Sequence, residues 1–89
     1  MINTTITISN KLGLHARAAA KLVTLASQFE SEVQLKRNQR VVNGKSIMAV
    51  MLLAASKGTE LEIIIEGADE AEATDALLQL INNKFDENE

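Results

Sequence analysis

The chain has 89 residues, of which 46% are hydrophobic, and a formal net charge of −3, so we expect one domain spanning residues 1–89 around a continuous core. The absence of cysteine excludes disulfide bonds and thiolate metal sites and favours a cytoplasmic protein. The N-terminal residues do not resemble a signal peptide, and the longest apolar run, residues 47–55, is too short to span a bilayer, so we expect no insertion into a membrane.

The charged residues are divided unevenly along the chain. Residues 1–59 contain eight Lys or Arg against two Glu, whereas residues 60–89 contain ten Asp or Glu against Lys84 alone. The first part is therefore basic and contains the single histidine, and the second part is acidic. Nucleic acid is a poor candidate partner, because the chain has only two aromatic residues for base stacking and an isoelectric point near 5.1.

The first two predicted elements are a strand and an amphipathic helix. In residues 2–8 Ile or Thr alternates with Asn or Thr, which predicts a half-buried strand, and residues 10–14 predict a loop. From Ala16 the apolar period becomes helical, and we expect this helix to end near Ser27. Its apolar face is formed by Ala19, Leu22, Val23 and Ala26, and its polar face by Arg17, Lys21, Thr24 and Gln28.

Two more strands and a short helix are predicted in the middle of the chain. Apolar and polar residues alternate over residues 32–36, which predicts a second strand. Residues 38–39 predict a two-residue turn that leads into a short third strand over residues 40–42. Ser46 is placed to cap a helix over residues 47–54, before a stop at a glycine.

That short helix is apolar on every side. Because a two-layer fold of this size leaves one face of each helix towards solvent, we expect Val50 and Leu53 to face the core and other apolar residues to be exposed. The exposed set, with adaptable methionines, predicts a docking surface for a partner: Ile47, Met48 and Met51.

The last elements are a fourth strand over residues 60–66 and a third helix. Asp69 with Glu72 predicts a capping box at the start of that helix, and we expect the last four residues, 86–89, to be frayed. The element order β-α-β-β-α-β-α predicts an α+β fold of two layers, with the helices on one side of an antiparallel sheet.

His15 is the first candidate for chemistry. A lone loop histidine often has no function, but here Arg17 lies in the first turn of a helix, where a cation opposes the helix dipole. Lys21 repeats the charge one turn later. Free amides at a helix start together with a guanidinium suit an anion such as phosphate. A neutral imidazole beside such a site can act as a nucleophile and carry a phosphoryl group.

Other kinds of site are not favoured by the sequence. The chain has no second His and no Cys, and its acidic residues lie elsewhere in the sequence, so we expect no metal site. His15 has no obvious Ser or Cys nucleophile as a partner, so we expect no hydrolase triad. We also expect no cofactor. The segment NGKS, residues 43–46, ends like a P-loop, but position 39 is Gln where that motif requires Gly.

Two segments resemble one known family. LGLHARAAAKL (residues 12–22) and GKSIMAVMLLAASKG (residues 44–58) are similar to the HPr family, the histidine-containing phosphocarriers of the bacterial phosphotransferase system. The resemblance extends over nearly the whole chain. It implies an open-faced β-sandwich in which the four-stranded antiparallel sheet has strand order 1-4-2-3 and three helices cover one face.

The resemblance also implies roles for residues. His15 would be phosphorylated on Nδ1 by enzyme I, which takes the group from phosphoenolpyruvate, and would pass it to IIA domains of sugar permeases. Ala16 and Arg17 would stabilise the phosphoryl group, and in some bacteria an HPr kinase/phosphorylase phosphorylates the serine matching Ser46. The matching docking residues are Ile47, Met48, Met51 and Lys21. The protein would be a covalent carrier, not a catalyst on its own, and we expect a monomer.

One position departs from the family, which usually has Pro where this chain has Ala18. Proline would fix the backbone near the helix start, whereas alanine is the best helix former, so we expect the helix to form with a less rigid entrance.

Two other functions are open at this point. One is a regulatory, nitrogen-type branch of the same system, and the acceptor protein would distinguish it from sugar uptake. The other is a ferredoxin-like regulatory domain without phosphotransfer, which would show strand order 4-1-3-2.

Overall fold

The computed structural model describes residues 1–87, which form four strands, three helices and a final left-handed turn. In chain order these are β1 (Ile2–Thr7), α1 (Ala16–Ala26), β2 (Glu32–Arg37), β3 (Arg40–Asn43), α2 (Ile47–Leu52), β4 (Glu60–Glu66), α3 (Glu70–Asn82) and the turn Lys84–Asp86. The order of strands and helices is the predicted one.

The strands form one antiparallel sheet in the order β1-β4-β2-β3. β4 lies inside the sheet, where Ile65 pairs with Ile2 of β1 on one side and with Val33 of β2 on the other. Asn38 and Gln39 connect β2 to β3 as the predicted two-residue turn. The fold class and the 1-4-2-3 order are confirmed, and the 4-1-3-2 order of a ferredoxin-like domain is excluded.

The hydrophobic core lies between one face of the sheet and the helices. Buried and exposed side chains alternate along the strands as predicted, because successive side chains of a strand point to opposite faces of the sheet. The sheet supplies six buried residues to the core: Ile6, Val33, Leu35, Leu61, Ile63 and Ile65. Each large aliphatic side chain buried in this way contributes roughly 1.5–3 kcal/mol.

Helix α1 presents its predicted apolar face to this core. Ala19, Leu22, Val23 and Ala26 are all buried, and the helix ends at Ala26, next to the predicted boundary. Ala18 is also buried, with no exposed surface. The helix therefore forms with alanine at the position where the family usually has proline.

Helix α2 is shorter than predicted. It ends at Leu52 instead of Ala54, because the backbone of Ala54 turns into the left-handed region (φ 50°). The guanidinium of Arg37 donates to the carbonyl oxygens of Leu53 (2.6 Å) and Ala54 (3.0 Å) and so satisfies the end of the helix. Val50 and Leu53 are buried, as predicted.

The predicted capping box at the start of α3 is wrong. The Asp69 side chain makes no bond to its own helix and instead accepts hydrogen bonds from the amides of Glu30 and Ser31, both at 2.9 Å, and from the Ser31 hydroxyl. These bonds, first that of the hydroxyl, lower the pKa of Asp69. Glu70, not Glu72, bonds back to an amide three residues earlier, at 3.2 Å. Asp69 therefore ties α3 to the segment before β2.

The chain after α3 folds back against α1. Lys84, Phe85 and Asp86 all have positive φ, between 55° and 62°, and the Phe85 side chain is completely buried. None of the helices in residues 1–87 has both the length and the apolar content that a membrane span needs.

Candidate functional site at His15

The loop between β1 and α1 is held against the segment that follows α2. The Leu14 amide donates to the Ala55 carbonyl oxygen at 2.8 Å. Gly13 has φ +69°, and a Cβ on it would lie 2.5 Å from the Ala55 oxygen and 2.8 Å from the Ser56 Cα. Only glycine fits this close approach without a shift of the backbone. The loop therefore places His15 at the entrance of α1.

His15 is the N-cap residue of α1. Its backbone is extended (φ −74°, ψ 177°), and its Nδ1 accepts a hydrogen bond from the Arg17 amide at 3.3 Å. The carbonyl oxygen of His15 accepts the Ala19 amide at 2.8 Å, which is the first bond of the helix. The amides of Ala16, Arg17 and Ala18 therefore have no carbonyl partner within the helix. The imidazole is 28% exposed and lies at an amide-rich, electropositive helix start.

The other ring nitrogen contacts a carboxylate from the far end of the chain. His15 Nε2 lies 2.6 Å from Oε2 of Glu87. The second carboxylate oxygen of Glu87, Oε1, accepts a hydrogen bond from Asn10 Nδ2 at 3.0 Å. The bond from Asn10 and then that from His15 lower the pKa of Glu87, with a smaller contribution from the charge of Arg17. Glu87 is therefore held as an anion against the imidazole.

Asn10 connects the loop to the C-terminal segment. Its side chain is completely buried, and Nδ2 donates to the Gly13 carbonyl oxygen at 2.8 Å as well as to Glu87. Both hydrogens of the amide nitrogen are thus used, which fixes the orientation of the amide. The Asn10 Oδ1 atom is buried and receives no hydrogen bond from residues 1–87.

The two cations predicted near His15 have different surroundings. Arg17 is exposed, in the first turn of α1. The Lys21 ammonium donates to the Phe85 carbonyl oxygen at 2.8 Å and lies 3.8 Å from the Asp86 carboxylate. Lys21 therefore holds the C-terminal turn in place, a role that the sequence did not suggest. An open groove of about 570 Å³ runs along this side of α1, and both Arg17 and Lys21 line it.

The predicted docking residues on α2 are exposed to solvent. Ile47, Met48 and Met51 are 42%, 76% and 41% exposed, and Leu52, which the sequence analysis did not include, is 63% exposed. Together these four residues form an apolar surface, which we call the α2 patch. Its contiguity on one short helix is unusual for a surface that contacts only water.

Ser46 caps α2 as predicted. Its Oγ accepts a hydrogen bond from the Ala49 amide at 3.3 Å, and the side chain is partly exposed. The neighbouring Lys45 ammonium donates to the Phe29 carbonyl oxygen at 2.7 Å. The ammonium of Lys45 is therefore bonded to a backbone carbonyl oxygen, whereas the lysine of a P-loop binds phosphate.

Asn10 and Glu87 are site residues that the sequence did not indicate. The acidic residues are concentrated in the second part of the chain, away from the histidine in sequence, but Glu87 contacts the imidazole directly. Residues 86–89 were expected to be frayed. Asp86 instead lies near Lys21 and Glu87 is bonded, while residues 88 and 89 lie outside the described part. No local signal could have indicated Glu87, because 72 residues separate it from His15.

The arrangement is suited to binding an anion and to reacting with it. Nδ1 accepts a hydrogen bond, so this nitrogen carries the lone pair and can act as a nucleophile. The amides of Ala16 and Ala18 have no partner within the helix, and the exposed guanidinium of Arg17 belongs to the residue two positions after His15. Donors of this kind suit the oxygens of a phosphate bonded to Nδ1. Within residues 1–87 no group of three or more His, Cys, Asp or Glu side chains is placed to hold a metal ion.

Comparison with known proteins gives a consistent result. Residues 2–83 match the family model described as "PTS HPr component phosphorylation site". The phosphocarrier protein HPr of Pseudomonas aeruginosa is 60% identical over 85 residues, which cover 94% of each chain. The crystal structure of HPr-C-His from Thermoanaerobacter tengcongensis superposes with a TM-score of 0.96, at 46% identity and 100% coverage of both chains. A crystal structure described as an HPr dimer from the same organism matches with a TM-score of 0.79, at 47% identity, over 98% of this chain and 100% of that one.

Proposed function

The chain belongs to the HPr family of phosphotransferase-system phosphocarriers, and we propose that His15 is the residue on which it carries the phosphoryl group. The observation that carries the proposal is the position of Nδ1. This atom accepts only the long, 3.3 Å bond from the Arg17 amide, lies in a partly exposed ring, and stands at the start of α1, where the amides of Ala16 and Ala18 have no partner within the helix.

In the proposed reaction the Nδ1 lone pair of His15 attacks the phosphorus atom of a phosphorylated donor. The N–P bond forms as the bond between phosphorus and the donor's leaving atom breaks, and the leaving atom keeps that electron pair. Phosphoryl transfer passes through a loose, roughly in-line transition state, so positioning and charge stabilisation account for most of the rate. The reverse sequence of events delivers the group to an acceptor.

The charge of the phosphoryl oxygens would be stabilised by groups next to the ring. The hydrogen bond from the Arg17 amide to Nδ1 is long, at 3.3 Å, and opens at little cost when Nδ1 binds phosphorus. The amides of Ala16 and Arg17 can then donate to phosphoryl oxygens, and the exposed Arg17 guanidinium can reach the same group. Charge-assisted bonds of this kind are about twice as strong as neutral ones.

The proposed donor is enzyme I, phosphorylated by phosphoenolpyruvate, and the proposed acceptors are IIA proteins that serve sugar uptake or regulation in the cytoplasm. The α2 patch and the groove beside Arg17 and Lys21 support docking of such partners, because they combine exposed apolar surface with positive charge near His15. The protein would act as a monomer and be regenerated by its partners.

Labelling with radioactive phosphoenolpyruvate in the presence of enzyme I tests the carrier role. The wild-type protein should acquire one acid-labile phosphoryl group, whereas His15→Ala should acquire none. The variant should keep its far-ultraviolet circular dichroism, because the imidazole is partly exposed and contributes no core packing. Acid-labile label on the variant, or acid-stable label on the wild type, would overturn the proposal.

We also propose that Ser46 is a regulatory phosphorylation site for an HPr kinase/phosphorylase. Negative charge is compatible with the start of α2, so the fold should persist, but the charge would stand beside the α2 patch and weaken docking. The free energy of unfolding of Ser46→Asp should lie within about 1 kcal/mol of the wild-type value. The variant should accept the phosphoryl group from enzyme I more slowly than the wild type does. Ser46→Asn, a neutral cap, is the matched control, and equal transfer rates for the two variants would contradict the proposal.

A further inference from the structure

We propose that Glu87 is a positioning residue for the imidazole of His15. Its carboxylate accepts the hydrogen bond of Nε2–H and thereby keeps the Nδ1 lone pair of His15 directed at the incoming phosphorus. The inference rests on the proposed role of His15 and adds a second residue to it. The geometry that carries it is the 2.6 Å contact between Glu87 Oε2 and His15 Nε2.

Two hydrogen bonds assign the proton of the neutral imidazole to one nitrogen. The Arg17 amide can only donate, so Nδ1, which faces it, is the acceptor. The ionised carboxylate of Glu87 can only accept, so Nε2, which faces it, is the donor. Both contacts select the tautomer that is protonated on Nε2, and in this tautomer Nδ1 is the nucleophile.

The position of Glu87 is itself fixed by its surroundings. Asn10 Nδ2 holds Oε1 at 3.0 Å, and Asn10 is buried. On the backbone side, the buried Phe85 ring anchors the left-handed turn, and Lys21 binds the Phe85 carbonyl oxygen at 2.8 Å. Consecutive left-handed residues other than glycine are unfavourable, so this turn persists because packing and Lys21 hold it. The contact with His15 is therefore a built feature of the fold.

The carboxylate also serves the product of transfer. When Nδ1 bonds phosphorus, its lone pair enters the N–P bond while Nε2 keeps its proton, so the ring gains positive charge. The Glu87 carboxylate, 2.6 Å from Nε2, compensates that charge, and no proton has to leave. This is the role that a buried carboxylate has towards the imidazole in a serine-protease triad.

Replacing Glu87 by glutamine should do more harm than removing the side chain. Asn10 Nδ2 donates towards the Oε1 position and is also committed to the Gly13 carbonyl oxygen, so the glutamine oxygen should take that position. The glutamine NH₂ group then faces Nε2 and requires an acceptor there, which places the ring proton on Nδ1. The nucleophilic lone pair is lost in this tautomer. With Glu87→Ala, water can accept from Nε2–H and the reactive tautomer remains accessible.

The tautomer can be measured without any phosphorylation. We would record ¹⁵N chemical shifts and two-bond ¹⁵N–¹H correlations of the His15 ring in the wild type, Glu87→Ala and Glu87→Gln. The spectra would be recorded at an alkaline pH, so that the ring is neutral. The expected result is the Nε2–H tautomer in the wild type and in Glu87→Ala, and a shift towards Nδ1–H in Glu87→Gln. Glu72→Gln is the charge-matched control, because Glu72 is exposed on α3 and should leave the spectrum unchanged.

Rates of phosphoryl transfer from phosphorylated enzyme I then test the consequence. The maximal rate should fall in the order wild type, Glu87→Ala, Glu87→Gln, with glutamine slower than alanine by about tenfold or more; the comparable carboxylate-to-amide change in the protease triad costs about 10⁴-fold. The KM for enzyme I should change less than the maximal rate. A residue with only a structural role would tolerate glutamine better than alanine.

The outcomes are distinguishable from those of the proposed function. Glutamine transferring as fast as alanine, or an unchanged Nε2–H tautomer in Glu87→Gln, would overturn the positioning role while leaving His15 as the carrier. Absence of label on wild-type His15 would overturn the carrier proposal, and the ¹⁵N spectra would still decide whether Glu87 sets the tautomer.

Discussion

Replacing Gly13 by alanine should destabilise the fold and misplace His15. Gly13 has φ +69°, and an added Cβ would lie 2.5 Å from the Ala55 carbonyl oxygen and 2.8 Å from the Ser56 Cα. Both of these are backbone atoms, which cannot rotate away as a flexible side chain would. The loop between β1 and α1 would have to separate from the segment after α2, which strains the hydrogen bond from Leu14 to Ala55 (2.8 Å).

The expected magnitude follows from three contributions. A left-handed backbone costs a residue other than glycine about 1–2 kcal/mol. Overlap with packed neighbours typically costs about 1–3 kcal/mol. Replacing glycine also lowers the conformational entropy of the unfolded chain, which stabilises the folded state by about 0.4–1 kcal/mol. We therefore expect Gly13→Ala to lower the free energy of unfolding by about 1–4.5 kcal/mol, with a middle value of about 3 kcal/mol. For a domain of this size the middle value corresponds to a fall of about 12–24 °C in the melting temperature.

The assay is urea unfolding followed by circular dichroism, with Gly58→Ala as the matched control. Gly58 also has a positive φ, +91°, but no atom lies within 4 Å of its added Cβ, so this variant should show the backbone cost alone. Phosphoryl transfer to Gly13→Ala should also slow, since displacing a reacting group by about 1 Å can cost 100-fold. If Gly13→Ala were as stable as Gly58→Ala, the argument from the close approach would be refuted.

Three further outcomes are expected. Met48→Ala should change the free energy of unfolding by less than about 0.5 kcal/mol, because the side chain is 76% exposed. The same variant should bind enzyme I more weakly in a titration, and unchanged binding would remove Met48 from the docking surface. Phe85→Ala should lower the free energy of unfolding by about 3–5 kcal/mol, and Phe85→Leu by less; a stability loss below about 1 kcal/mol for alanine would show that the buried ring does not anchor the turn. The folded-state pKa of Asp69 is below its ordinary value of 3.8, chiefly through the Ser31 hydroxyl, so its stabilisation is complete above that value and is lost as the pH falls through the lower folded pKa. Unfolding between about pH 5 and pH 2 should therefore show a shallower pH dependence in Asp69→Asn than in the wild type, and identical slopes would contradict this.

The elements of the fold were largely predictable because their signals are local. Alternation of Ile and Thr in β1 and the apolar stripe of α1 each arise within a few residues, and the structure confirms both. The Ser46 cap of α2 also follows from a residue beside its own helix. The error at Asp69 has a different origin. An aspartate before a helix is a reasonable cap, but here the carboxylate accepts from the amides of Glu30 and Ser31 and makes no capping bond to its own helix. Which amides a carboxylate meets depends on tertiary packing.

The same distinction applies to the candidate site. His15 and Arg17 could be selected from the sequence, because a histidine next to a helix start and a cation in the first turn form a pattern over three residues. Lys21 was correctly placed on the polar face of α1, but its partner, the Phe85 carbonyl oxygen, lies 64 residues away. The sequence could not indicate that this ammonium binds the C-terminal turn.

The amino-acid sequence by itself determined the strands, the helices, the imidazole at the entrance of α1 and the resemblance to the HPr family, because each depends on neighbours along the chain. Only the tertiary structure decided that a carboxylate contacts the Nε2 atom of His15. Asn10 and a buried left-handed turn bring Glu87 to within 2.6 Å of the ring from 72 residues away. Hydrogen bonds act over a few ångströms in space, so contacts between the two ends of a chain exist only once the fold has brought them together.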